Sequence, residues 1–337
     1  MTRRSRRATA AVLGAALAAA LAVAPDPVQA AGEAGPGYPT RAITVIVPMS
    51  AGGPIDTTTR VLTEAMSRHL GRPVVIENVG GAAGSIAAGR VARAAPDGYT
   101  LGIGIWGTHV ANAAIYPLQY DVQKDFVPIG LVSVNTLIIV SRKGIPARDM
   151  KELIAWLRDR PDRITQGTSG VGSVGHVAGL LFQKMTGTRY PFAPYRGLAL
   201  AMQDLLAGNI DLIFDTPATS LPQLRAGTIR AYAVTAKSRL AAAPDIPTVD
   251  EAGVPGLYAF TWTALFAPAG TPKEAIAVLN DAQRKSLAEP AVRARLAEVG
   301  QEVYPPEQQT PEALAAFQKA EIEKWWPVIR AARITGE

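Results

Sequence analysis

Two stretches of the sequence combine residue types and spacings that could hold a ligand. The first is Pro48-Met49-Ser50-Ala51-Gly52-Gly53-Pro54-Ile55-Asp56. It follows Ala42 to Val47, a β-branched apolar run that reads as a buried strand. Two glycines let the backbone come close to a ligand. A helix starts at once, and free amides at a helix start favour an anion. A tight strand-to-helix turn with nothing bound would use the same residues. The second stretch is Gln166-Gly167-Thr168-Ser169-Gly170-Val171-Gly172-Ser173-Val174-Gly175-His176. It follows a strand, Arg163 to Thr165, and opens a helix, Val177 to Met185. Three hydroxyls, flexible amides and one imidazole suit a carboxylate held without full charge neutralisation. Ser173 would equally serve as a plain N-cap, and His176 as a satisfied histidine at a helix start.

Other chemistries find less support. Gly170, Gly172 and Gly175 have the spacing of a dinucleotide fingerprint, and so do Gly102, Gly104 and Gly107. The acidic residue expected about 20 positions later is missing for the first triplet, where Tyr195 and Arg196 fall. For the second, Asp121 and Asp125 lie near that distance, but Ile115-Tyr116-Pro117-Leu118 interrupts the helix–strand unit. Two such triplets among 31 glycines are read as coincidence. No cofactor is expected. No Gly-x-Ser-x-Gly elbow occurs. The three histidines, His69, His109 and His176, lack the HExxH spacing, and no metal centre is expected. Zero cysteines exclude disulfides, thiol catalysis and thiolate metal sites. Binding, not catalysis, is the expectation.

The N-terminus carries an address. Arg3, Arg4, Arg6 and Arg7 precede an apolar run from Ala8 to Ala24, and Val28-Gln29-Ala30 is a small-x-small end. A basic head, an apolar stretch of about 15 residues and a small-residue site make a secretory signal. A membrane anchor is the alternative, but a bilayer span needs about 20 apolar residues. Cleavage after Ala30 would leave 307 of the 337 residues in the periplasm. Residues 1–30 hold four of the 34 basic residues and one of the 28 acidic ones, so the net charge of +6 falls to +3. That balance is too mild to argue for nucleic acid. A chain of this length suggests two domains, and 48% hydrophobic residues supply an ordinary core.

The elements that must position the two loops alternate between strand and helix patterns. Val74 to Asn78, Tyr99 to Ile105 and Thr136 to Ser141 read as strands. Thr58 to Leu70, capped by Asp56 or Thr57 and closed by Gly71, reads as a helix. So do Ser85 to Ala94 and Ala147 to Arg160. Alternation at this spacing implies α/β units around mainly parallel sheets, in one series before about residue 130 and another from about 135 to 250. The C-terminal part is helical, over Lys273 to Ala288, Pro290 to Val299 and Pro311 to Ala332. In open α/β sheets, ligands sit at the carboxyl ends of strands. Both loops fall there.

Taken in order, short segments along the mature chain resemble the solute-binding receptors of tripartite tricarboxylate transporters, the Bug-type family. They include Tyr38-Pro39-Thr40-Arg41-Ala42-Ile43, Val47-Pro48 through Gly52-Gly53 to Asp56, Val75-Ile76-Glu77-Asn78 and Ala83-Gly84-Ser85-Ile86. Ala94-Ala95-Pro96-Asp97-Gly98-Tyr99-Thr100-Leu101, Gly107-Thr108-His109, Pro194-Tyr195-Arg196-Gly197 and Asp211-Leu212-Ile213-Phe214-Asp215 follow, then Ala267-Pro268-Ala269-Gly270-Thr271-Pro272. Each motif is weak alone; their ordered sum is specific. The resemblance implies a type II periplasmic binding fold: two α/β domains, two crossing strands and a ligand cleft between them. It places residues 31–132 plus 257–337 in one domain and 133–256 in an inserted second, after a signal at 1–30. It implies a small carboxylate ligand, integral-membrane transporter subunits as partners, and a monomer. A sensor that reports solute to a signalling partner is the alternative, with an exported enzyme behind it.

The resemblance also assigns the site. Met49, Ser50, Ala51, Gly52 and Gly53 would form the first carboxylate loop, with Asp56 behind it and Thr108 beside it. Thr168, Ser169, Gly170, Val171, Gly172 and Ser173 would form the second, with His176 behind. Tyr195 and Asp215 fall where cleft-lining residues are expected. Asp215 would either accept from a ligand amine or cap a helix at Thr216-Pro217. The sequence departs from the family at Met49-Ser50, often Phe-Pro, and at Pro54-Ile55, often Ala-Thr. Pro54 removes one amide donor. Trp106 and Trp262 are candidates for an aromatic cleft wall or for core packing.

Overall fold

A computed structural model describes residues 37–49, 51–195 and 197–334. The signal segment and Ser50 lie outside the described residues. Two sheets organise the rest. The first begins with β1 (Ile43–Val47), α1 (Pro54–Leu70), β2 (Val74–Asn78), α2 (Ser85–Ala92) and β3 (Thr100–Ile105). A five-residue π turn, Gly107–Ala111, runs from β3 into α3 (Asn112–Ile115), and the long β4 (Phe126–Thr136) follows. The chain then builds β5 (Ile138–Arg142), α4 (Met150–Arg158), β6 (Gln166–Thr168), α5 (Val174–Thr186) and β7 (Phe192–Pro194). The second sheet is completed with α6 (Leu198–Ala207), β8 (Leu212–Asp215), α7 (Pro217–Arg225) and β9 (Ile229–Val234). The chain returns through β10 (Phe260–Pro268) and ends in α8 (Lys273–Ala288), α9 (Pro290–Glu298), β11 (Glu302–Val303) and α10 (Pro311–Ala331).

The first sheet has the order β11-β4-β10-β3-β1-β2, the second β7-β6-β8-β5-β9. The expectation of mainly parallel sheets needs correcting. β2, β1 and β3 are parallel, and so are β7, β6 and β8, but β10 runs against β3 and β4, and β5 runs against β8 and β9. Each sheet is therefore mixed. β4 and β10 pair from Phe260–Thr136 to Pro268–Phe126, so the chain leaves the first sheet and re-enters it on neighbouring strands. Residues 137–259 supply every strand of the second sheet.

Burial follows the strand period of two. Ile43, Val45 and Val47 join Leu62, Met66 and Leu279 of α1 and α8 on one face of the first sheet. Ile46, Trp106 and Phe266 lie in a different core, which continues through Leu137 and through Ile139 and Phe214 of the second sheet. α10 contributes Leu314, Ile322, Trp325 and Ile329 to this shared core. A third cluster packs Ile138, Val140 and Ile213 against Ala201, Met202 and Leu205 of α6.

Several element boundaries differ from the expectation for identifiable reasons. α1 begins at Pro54 rather than Thr58, with Gly53 as N-cap, because a proline at the first helical position has its φ preset and no amide to leave unpaired. Asp56 is therefore inside the first turn and caps nothing from outside. The strand before the second loop covers Gln166–Thr168, three residues later than the sequence pattern, and α5 starts at Val174 once Ser173 accepts from the amide of His176. Gly102 and Gly104, two members of a fingerprint-like triplet, have a packing role. A Cβ on Gly102 would lie 2.8 Å from Val91, and one on Gly104 would lie 2.3 Å from Phe266.

Candidate functional site

The loop after β1 is fixed from beneath by Asp56. Its Oδ2 accepts from the Gly52 amide at 2.8 Å and from Arg60 Nε at 2.9 Å; its Oδ1 accepts from Asn78 Nδ2 at 3.0 Å. Asn78 also donates to the Met49 carbonyl at 3.0 Å. Asp56 is 1% exposed, and Arg60, followed by the other donors, holds its carboxyl down to about 2. Burial opposes this shift but loses to three hydrogen bonds. Asp56 thus shapes the loop and has no free face for a solute. It also occupies the Gly52 amide, one of the donors expected to meet an anion. Gly52 itself has φ +82°, a left-handed conformation suited to glycine.

A second loop from the same sheet joins this one, and the sequence pattern did not single it out as part of the site. Gly81 to Gly84 carries consecutive left-handed residues, with φ of 47° at Ala82, 52° at Ala83 and 86° at Gly84. Non-glycine residues hold such angles only where the surroundings over-determine them. Asn112 supplies that constraint: its Nδ2 donates to the Ala83 carbonyl and to Ser85 Oγ, each at 3.0 Å. A Cβ on Gly84 would lie 2.7 Å from Thr108 Cγ2 and 3.0 Å from Pro48 Cβ. The ends of β1, β2 and β3 therefore converge on one spot. The signal was available in the glycines at 80, 81 and 84, but loop convergence is a tertiary fact.

Thr108 lies at that spot with its methyl outward against Gly84. Its hydroxyl faces inward, accepting from the Ile105 amide at 3.2 Å and contacting His109 Nδ1 at 2.9 Å. It is fully buried, so its hydroxyl braces the π turn and does not reach the cleft. His109 stacks on Phe266 with ring centroids 4.1 Å apart, and burial pushes its imidazole down to about 3.

The loop after β6 is built with equal economy. Gly170 and Gly172 have φ of 119° and 75°. The Ser173 amide donates to the Gly170 carbonyl at 3.2 Å, and Thr168 Oγ1 donates to the same carbonyl at 3.3 Å. His176 Nδ1 accepts from the Gly172 amide at 3.0 Å, which leaves its proton on Nε2. Burial lowers the pKa of this imidazole, so it is neutral at physiological pH. Ser169 and Val171 are exposed at the tip. A Cβ on Gly172 would lie 2.5 Å from Ile115 Cδ1, at the end of the helix that Asn112 begins. The loops of the two sheets thus meet across α3.

Tyr195 and Asp215 take other roles. The Tyr195 amide donates to the Thr168 carbonyl at 2.9 Å, so its backbone belongs to the second loop. Its hydroxyl donates to Asp204 Oδ2 at 2.6 Å. Asp215 is fully buried and accepts from the hydroxyls of Thr219 (2.6 Å) and Ser220 at the start of α7. It ties the end of β8 to the first turn of α7 through those hydroxyls, while the N-cap position itself is Thr216. Burial raises its pKa, and the hydroxyl donors oppose that shift. Trp106 and Trp262 are 2% and 1% exposed, so both pack in the core rather than forming a cleft wall. Among the described residues no group of three or more acidic or histidine side chains is placed to hold a metal. None of the described helices is long and apolar enough to cross a membrane.

Comparison with known proteins fits this geometry. Residues 58–334 match the model of the tripartite tricarboxylate transporter family receptor. The chain is 33% identical to protein BugT of Bordetella pertussis, over 87% of this chain and 90% of that one. MatC of Rhodopseudomonas palustris, solved with bound malate, is 40% identical and superposes with a TM-score of 0.74 over 87% of this chain and all of that one. A second R. palustris protein, solved with adipate, is 35% identical with a TM-score of 0.76, over 88% of this chain and 98% of that one.

Proposed function

The chain belongs to the tripartite tricarboxylate transporter receptor family of solute-binding proteins, and from that premise we propose that it captures a small carboxylate between its two sets of strand-end loops. The observation that carries the proposal is the meeting of the β1, β2 and β6 loops across Ile115 and Gly172. The carboxylate lies against amides of Ala51, Gly53, Ser169 and Gly170, with Ser50, Ser169 and Ser173 as hydroxyl donors. Backbone amides and hydroxyls suffice because several directed donors stabilise an anion without a formal countercharge. Asp56, Thr108, Tyr195 and Asp215 hold the loops in shape and leave the solute alone.

The two sheets act as lobes, with residues 31–132 and 257–337 in one and 133–256 in the other. β4 and β10 are the crossings, and closure about them buries the solute. The mature chain, cleaved after Ala30, works as a periplasmic monomer and hands the solute to integral-membrane subunits without chemical change. The malate and adipate of its relatives are the first ligands to try. No feature of the fold favours a signalling partner over a permease.

Thermal-shift measurements on the mature protein test this directly. A ligand present at about 100 times its Kd adds about 2.7 kcal/mol to stability. At least one di- or tricarboxylate is expected to raise the Tm by several degrees. No shift with any of them, up to millimolar concentration, would overturn the carboxylate reading; turnover of a bound compound would overturn the non-catalytic one.

A further inference from the structure

We infer that the captured solute is a carboxylate that carries no ammonium group and whose remaining body is apolar, lying against a hydrophobic rim at the cleft mouth. The inference rests on the site proposed above and narrows its ligand class.

An ammonium brings three donors and a charge into the cleft. Once a closing cleft removes water, that charge needs an anionic partner or a full set of acceptors. Two carboxylates stand close to the strand ends where the loops meet, and both are fully engaged. Asp56 is 1% exposed and holds Gly52, Arg60 and Asn78. Asp215 is fully buried, with one oxygen on Thr219 and the other on Ser220. Glu77, near the end of β2, is paired through both oxygens with Arg90. The loop segments 79–85, 106–112 and 169–173 contain no acidic residue. The Gly170 and Ala83 carbonyls already accept hydrogen bonds from Thr168 and Asn112. Among the described residues an ammonium would therefore give up its hydration without gaining a free carboxylate at these strand ends to balance its charge.

The apolar half of the inference comes from exposure. Ile86 and Val171 are each 54% exposed and Leu200 is 47% exposed. Ile86 is in the first turn of α2, after β2; Val171 is at the tip of the loop after β6; Leu200 is in the first turn of α6, after β7. β1, β2 and β3 run parallel, as do β6 and β7, so these three side chains stand at the loop-bearing strand ends of both sheets. Large apolar side chains left in water beside a binding cleft gain about 25 cal/mol per Å² when a ligand covers them.

Matched ligand pairs separate this inference from the reading beneath it. Calorimetric titration would compare butanedioate with 2-aminobutanedioate, and hexanedioate with 2-aminohexanedioate. The expected result is binding of an unsubstituted diacid, with its amino partner at least tenfold weaker. Equal or tighter binding of the amino partner overturns the inference and leaves the carboxylate site standing. Binding of none of the four overturns the inference, and the wider thermal-shift panel of di- and tricarboxylates then decides whether the carboxylate site itself stands. Val171→Ser, at an exposed loop tip, is expected to weaken hexanedioate about threefold or more relative to butanedioate. An equal effect on both diacids would overturn the assignment of the rim.

Discussion

Asp56 and Asp215 look interchangeable in the sequence, each an acid close to the end of an apolar strand. The structure separates them by their donors. Asp56 has a cationic partner in Arg60 and stays ionised; Asp215 has neutral donors, and burial raises its pKa. Helix spacing announces Arg60, which stands four residues after Asp56 in α1, but not Asn78, which arrives from β2. His109 makes a sharper prediction. In the unfolded chain it titrates near 6.5; in the fold, burial holds it down to about 3. Between those values the unfolded state binds the extra proton, so stability rises with pH and is complete above about 6.5. Lowering the pH from 6.5 to 4.5 should cost up to about 1.4 kcal/mol per unit. Urea unfolding of the native chain and of His109→Gln across this range isolates the effect. Asp215 and Glu321, raised by burial, titrate with the opposite sign in both proteins and cancel in the comparison. Parallel stability–pH curves for the two would contradict the assignment.

At the scale of elements, the sequence was most legible where a periodic pattern met a strong terminator. β2 and α8 fall at the expected residues, and α1 ends at Leu70 before left-handed Gly71. Legibility failed where tertiary contacts overrode local preference. The π turn at Gly107–Ala111 has no sequence signature; it is held by Thr108 inside, by Gln318 on the His109 carbonyl and by Trp326 on the Val110 carbonyl. β6 starts late because Gln166 and Gly167 are needed for pairing with both β7 and β8. The sequence pattern marks α10 as a C-terminal helix but not its place, which is the core shared by both sheets. Trp325, 1% exposed, sits edge-on to Trp106 at 5.8 Å and donates to Glu321 at 3.1 Å. Trp325→Ala should therefore cost about 3–5 kcal/mol, read as a fall in the urea midpoint. A loss below about 1 kcal/mol, the size of an ordinary surface change, would show that α10 is not part of the shared core.

For the whole molecule, the resemblance carried the fold further than the periodic pattern did. Alternating elements suggested mainly parallel sheets, whereas each sheet contains a strand running against its neighbours, β10 in one and β5 in the other. The reversal follows from connectivity: β4 and β10 pair side by side as the chain leaves and re-enters the first sheet. The candidate site was half legible. Glycine spacing located the β1 and β6 loops, but their meeting across Ile115 depends on a helix placed by Asn112. The central claim is that a carboxylate sits where these loops meet. A crystal structure of the mature chain with hexanedioate tests it most directly. Carboxylate oxygens are expected within hydrogen-bonding distance of the amides of Ala51, Gly53, Ser169 or Gly170, with the hydrocarbon chain toward Val171 and Ile86. Hexanedioate held anywhere else on the chain, or by a side-chain cation in place of those amides, would contradict it.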